Sequence, residues 1–162
     1  MTSPDDPQSL YLDFPHQFQS LVLSTVSGAG VPHASYAPFV INAARQVYVL
    51  ISGLAIHTQN MLTTQRASVM WLEDEAQCQQ IFARRRLTYD CTVTVIEREA
   101  AEWEAIADQF EARFGAMVKT LRSLEDFQLV CLTPQGGRFV MGFGAAYRIN
   151  GEDLAHLYPL RG

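Results

Sequence analysis

The chain has too little positive charge to grip a phosphate backbone. Its 162 residues carry 12 Lys and Arg against 17 Asp and Glu, a formal net charge of -5, and Arg84-Arg85-Arg86 is its one basic run. Counterion release on nucleic acid needs clustered cations, so no nucleic-acid partner is expected. Cysteine is scarce too. Cys78, Cys91 and Cys131 are odd in number and far apart, with no CxxC or Cys/His zinc spacing, and they read as reduced, small apolar residues. HxH, HxxxH and HExxH patterns are missing, as are a GxSxG elbow and any P-loop or dinucleotide fingerprint. No apolar run approaches the ~18 residues of a membrane span, and the opening MTSPDDPQSLYLDF is no basic-then-apolar leader. A soluble, cytoplasmic protein with no membrane partner is the expectation.

What is present fits one domain. Hydrophobic residues make up 48% and charged ones 18%, enough to bury a single core in a chain too short for two ordinary domains. Residues 1–15 hold three prolines and three aspartates and are expected to form a flexible N-terminal arm, with residues 16–162 as the folded domain. From Ser20 short runs rich in Val, Ile, Tyr and Thr alternate with Gly and Asn: SLVLSTV, PHASYAPFVI and RQVYVLISG predict an antiparallel meander. A helix is predicted over 54–64, from Leu54, Met61 and Leu62, before ASVMWL returns to strand.

RRRLTYDCTVTVIER alternates strictly. Leu87, Tyr89, Cys91, Val93 and Val95 fall on one face and Thr88, Asp90, Thr92 and Thr94 on the other, which implies one buried face and one wet or ligand-facing one. Trp103, Ile106, Phe110 and Phe114 recur at helical spacing over 100–114, with Gly115 as a stop. Two further strands, DFQLVCLTP and GRFVMGFGAAYRI, are expected to flank a turn at QGG, and Gly142 and Gly144 mark a bulge or a close approach by a backbone or a flat ligand. Strands in a meander split by helices make a small α+β barrel.

Few residues stand out for chemistry. His57 opens the 54–64 helix, where free N–H groups and the dipole favour an anion; a capping or packing histidine fits the same position. Arg84 and Arg86 share one side of the alternating strand and suit carboxylates or a phosphate, or pair with Glu73-Asp74-Glu75. His156, in EDLAHLYPL, is a candidate ligand for haem iron, since one neutral imidazole suffices where an apolar cleft takes the macrocycle.

SLVLSTVSGAGVPHASYAPFV, ISGLAIHTQNM, ASVMWLEDE, IFARRRLTY, LEDF and GRFVMGFGAAYRI, in this order, resemble the haem-utilisation proteins of the HugZ/HutZ type. These are a branch of the pyridoxamine 5′-phosphate oxidase-like, FMN-binding split-barrel superfamily. The resemblance runs from about Ser20 to Ile149. It implies a split β-barrel with helices at the barrel ends, and a homodimer with haem or flavin at the subunit interface. For haem it implies oxidative degradation with O₂ and an external reductant, Arg84 and Arg86 near the propionates, and Asp126 as a hydrogen-bonding partner of the iron-ligating imidazole. That histidine belongs, in similar proteins, to a Gly-His pair near the chain end, which the sequence up to Gly162 does not show; the iron ligand then lies beyond this sequence, is absent, or is replaced by His156. The alternative is an FMN-dependent oxidoreductase, in which Tyr36, His57 and Thr58 match the phosphate site. Neither Tyr nor neutral His supplies the fixed charge a phosphate dianion favours, so His57 is expected to line the pocket. A carrier of haem or flavin without catalysis is the third expectation.

Overall fold

The computed structural model describes residues 6–160. In chain order the elements are α1 (Pro7–Asp13), β1 (Ser20–Val26), β2 (Pro32–Ile41), β3 (Val47–Ser52), α2 (Ile56–Thr64), β4 (Arg66–Leu72), β5 (Arg86–Ile96), α3 (Ala101–Phe114), α4 (Met117–Ser123), β6 (Phe127–Gly142), β7 (Ala145–Asn150) and β8 (Asp153–Pro159). All strand pairs are antiparallel, in the order β3-β2-β1-β4-β5-β6-β7-β8. A second pairing between β3 and β6, from Val47↔Leu132 to Ser52↔Phe127, closes a 6-strand barrel and leaves β7 and β8 as an extension beyond it. The α+β barrel expected from the sequence is the fold observed.

The interior is filled by the inward residues of each strand, among them Leu21, Leu23, Val69, Trp71, Leu87 and Tyr89. α3 and α4 cover the other side of β3 and β6, where Trp103, Ile106 and Phe110 pack on Tyr48, Leu50 and Leu129. The predicted alternation of β5 holds: Leu87, Tyr89, Cys91 and Val93 are buried. So does the α3 periodicity. In α2 the apolar expectation holds for buried Met61, whereas Leu54 precedes the helix and is exposed with Leu62.

Three local expectations are corrected. QGG is not a turn. β6 runs unbroken through it, because Gln135 is an extra residue between the pairs Cys91↔Pro134 and Asp90↔Gly136, a bulge rather than a reversal. Pro134, which lacks an amide donor, is tolerated at that irregularity. The reversal comes instead at Phe143-Gly144, where Gly144 has φ +70°, so GRFVMGFGAAYRI is two strands joined by a hairpin. Of the bulge or close approach expected at Gly142 and Gly144, the bulge is found, between Val140 and Gly142; close backbone approaches are instead at Gly151, against the Gln135 carbonyl, and at Gly137, where a side chain would overlap the Thr88 carbonyl and stand 2.9 Å from the Tyr89 ring.

The N-terminal arm is the third. Residues 1–5 lie outside the described residues, but from Asp6 onward the segment folds. The Asp6 carboxylate accepts from the Ser9 amide at 3.0 Å, Pro7 occupies the first helical position, and Tyr11 and Phe14 are 0% and 2% exposed. Asp followed by Pro reads as loop composition, yet it is also an N-cap and N1 pair. Two elements go beyond the sequence reading, α4 and the edge strand β8. Gln8 holds β8 through the Ala155 carbonyl and the Leu157 amide.

Gly137→Ala is expected to lower stability by about 2 kcal/mol, the usual size of an overpacking strain. A chemical denaturation curve superimposable on that of the parent protein would contradict the close approach.

Candidate functional site

The outward faces of β5, β6 and β7 form a shallow cleft of about 650 Å³. Registers place its residues in rows. Thr88 of β5 lies opposite Arg138 of β6, which lies opposite Arg148 of β7, which lies opposite Tyr158 of β8. Arg86 enters the same cleft two residues before Thr88, and its Nη1 donates to the Arg84 carbonyl at 3.1 Å. At the other end Asp90 faces Gly136, and Gly136, Gly137 and Gly151 leave the floor low and flat. Three arginines thus crowd one end of a glycine-floored surface whose single lining carboxylate is Asp90.

β8 closes the rim. Asp153 accepts from Tyr158 Oη at 3.1 Å and pairs with His156 Nδ1 at 2.8 Å, while the Tyr158 ring lies 5.8 Å from the Arg148 guanidinium. The His156 partnership lowers the Asp153 pKa, and Tyr158 lowers it further. A carboxylate on Nδ1 fixes the tautomer that leaves Nε2 free, the arrangement usual for a metal-ligating imidazole. His156 itself is exposed.

The other residues singled out in the sequence lie elsewhere. Arg84 is outside the cleft: its guanidinium donates to the Glu73 carbonyl and pairs with Glu75 at 3.3 Å, holding the β4–β5 connection. Strand alternation does not bring it beside Arg86, because β5 begins only at Arg86. Asp126 precedes β6 and accepts from Ser52 Oγ at 3.0 Å, and its carbonyl accepts from the Gly53 amide at 2.6 Å. Some ten residues of extended chain, roughly 30 Å, separate it from Gly136. Within one chain Asp126 and His156 are therefore not neighbours.

The phosphate set expected for FMN does not converge either. Thr58 is fully buried and donates to the Ser52 carbonyl at 2.6 Å. His57 Nδ1 bonds Ser35 Oγ at 2.9 Å, whereas Tyr36, the next residue along β2, projects to the opposite face and is 69% exposed. Burial, with a smaller contribution from His33, holds the His57 pKa below its ordinary 6.5. The ring is neutral, and it fills space between α2 and β2. Arg138 and Arg148, which the sequence reading passed over, line the cleft together with Arg86, which it named; their signal is cross-strand register, invisible until the Gln135 bulge is placed.

Known proteins align with this fold along nearly its full length. The family described as pyridoxamine 5′-phosphate oxidase matches residues 9–141. A protein of Vibrio cholerae serotype O1 named haem oxygenase HutZ is 42% identical over 148 residues, 91% of this chain and 84% of that protein. A crystal structure of HutZ, there called a haem storage protein, superposes with TM-score 0.74 at 36% identity, covering 90% of this chain and 95% of the other. Campylobacter jejuni ChuZ superposes with TM-score 0.84 at 31% identity, over 99% of this chain and 64% of ChuZ.

Because folding depresses the His57 pKa, the stability attached to its neutral ring is intact above pH ~6.5 and is lost as pH falls through the folded value. Melting temperatures taken between about pH 7.5 and 5 should fall further for the parent protein than for His57→Gln. Parallel curves would show that the ring titrates freely.

Proposed function

The chain belongs to the pyridoxamine 5′-phosphate oxidase family, and from that footing we propose that it binds haem in the β5–β6–β7 cleft and degrades it oxidatively. The observation that supports this most is the cleft's polarity. A flat glycine floor suits a macrocycle, and three arginines at one end suit its two propionates. Relatives named as a haem oxygenase and a haem storage protein point to the same ligand.

In this reading Arg86 donates to a propionate from the β5 end, and the Thr88 hydroxyl is a further donor on the floor. His156 offers Nε2 from the rim, with Asp153 holding its tautomer. Haem supplies redox-active iron for O₂ chemistry; electrons come from an external reductant. The protein's share is to anchor the propionates, orient the ring and leave one face open.

Asp126 can act on the iron-ligating histidine only from a second copy, which is one reason to read the protein as a homodimer. The exposed surface gives another. Tyr36, Val22 and Met70 continue the row of Thr88, Arg138 and Arg148 across β2, β1 and β4, so an apolar outer face adjoins the cleft. Sedimentation velocity at micromolar concentration is expected to give a dimer; a monomer there contradicts the assembly.

FMN is the weaker ligand on this geometry, because His57, Thr58 and Tyr36 form no cradle and none carries a fixed positive charge. Titration with haem, followed by absorbance, is expected to saturate at one haem per chain, with Arg86→Ala about tenfold weaker. In air with ascorbate the bound Soret band should then decay to a linear tetrapyrrole spectrum. A persistent band would leave a haem carrier, and no saturable binding with flavin released on denaturation would overturn the haem reading.

A further inference from the structure

We propose, on the haem-site reading above, that the cleft recognises the carboxylate pair of a tetrapyrrole and not its metal, so that iron-free and ring-opened tetrapyrrole dicarboxylates are ligands of the same site. Arg138 and Arg148 stand directly opposite each other on neighbouring strands. Like charges in that position repel. Neither guanidinium has an ion pair or hydrogen bond among the described residues; Arg148 has only the Tyr158 ring, at 5.8 Å. A sheet that sets two unpaired arginines face to face, with Arg86 lining the same cleft one row away on β5, is shaped for an anion that bridges them.

The charge count identifies the anion. Three arginines against the one aspartate leave an excess of two positive charges in the cleft. Two carboxylates on one rigid frame match that excess, and each fits the planar fork of a guanidinium. The cleft lining holds no His, Cys or Met, so it contains none of the soft or imidazole ligands that iron prefers. His156 lies at the rim and adds to haem affinity without defining it. Asp90, beyond the glycine floor, repels carboxylates from the far end and so fixes which way the ring lies.

A consequence follows for turnover. Opening the ring leaves both propionates in place, so the product keeps the contacts that held the substrate. Product therefore competes with substrate for the cleft, and added linear tetrapyrrole inhibits.

The test compares ferric haem, iron-free protoporphyrin IX and its dimethyl ester in absorbance and fluorescence titrations of the full chain and of Arg138→Gln/Arg148→Gln. Iron-free porphyrin is expected to bind within about tenfold of haem, and the ester at least ~10-fold more weakly than the acid, the size of one lost charge-assisted hydrogen bond. The double variant should weaken both acids by about 100-fold, two such bonds, with a thermal melt no lower than the parent's, because both arginines are exposed and their mutual repulsion is removed. Equal binding of acid and ester, or an unaffected double variant, overturns the proposal. Haem that binds while iron-free porphyrin does not places recognition in the metal and defeats this inference alone. Failure of haem itself to saturate defeats the underlying haem-site reading as well.

Discussion

The bulge at Gln135 is the constraint from which the rest of the site follows. Along β5 the odd residues Leu87, Tyr89, Cys91 and Val93 face the barrel throughout. Along β6 the parity changes. Val130 and Leu132 point inward before the bulge, Phe139 after it. One extra residue slips the register by one and exchanges the two faces of everything beyond it. Without that slip Arg138 would enter an apolar barrel and Phe139 would face water. With it, Gly136, Arg138 and Val140 become the middle of the cleft, and Gly137 settles against the Thr88 carbonyl where no side chain fits. The same strand therefore closes the barrel with its first half and builds a ligand surface with its second.

A buried cation ties that surface to both ends of the described chain. Arg45 is 6% exposed and has no carboxylate partner among the described residues. Its Nε donates to Tyr89 Oη at 2.9 Å, its Nη1 to the Leu12 carbonyl at 2.9 Å, and its guanidinium lies 4.8 Å above the Tyr11 ring. Tyr89 and Tyr11 share a 2.6 Å hydrogen bond, and Tyr11 passes its proton's contact on to the Leu154 carbonyl. An unpaired buried charge is costly unless its donors are met, and here neutral oxygens and aromatic faces meet them. Burial pushes the Tyr89 phenol far up and raises that of Tyr11, so both phenols keep their protons at any ordinary pH. Through these hydrogen bonds α1 and β8 are fastened to the floor of the cleft, and with β8 come Asp153, His156 and Tyr158.

Periodicity made the scaffold legible. The alternation around Leu87 to Val95 and the four-residue rhythm from Trp103 to Phe114 each needed only local spacing, and both faces were assigned correctly. The arrangement of charged groups was harder to read, because it depends on partners distant in sequence. Arg84 and Arg86 look equivalent two residues apart, yet one precedes the strand and is held by Glu73 and Glu75 while the other enters the cleft. Arg138 and Arg148 look like ordinary strand arginines until register sets them opposite each other. Gly-Gly after Pro134-Gln135 has the composition of a turn, and only pairing on both edges of β6 keeps the strand running through it. Asp6-Pro7 fails in the opposite direction, a loop signature that serves as a helix start.

The central claim is that ligand binds on the outer face of β5, β6 and β7. Backbone amide NMR spectra recorded while ferric haem is added test it directly, since the paramagnetic iron broadens nearby resonances. The account predicts selective loss of the Thr88, Gly136, Gly137 and Asn150 signals while Ser35 and His57 persist. Broadening centred on Ser35 and His57, with the glycine floor untouched, would contradict it and return the ligand to the start of α2.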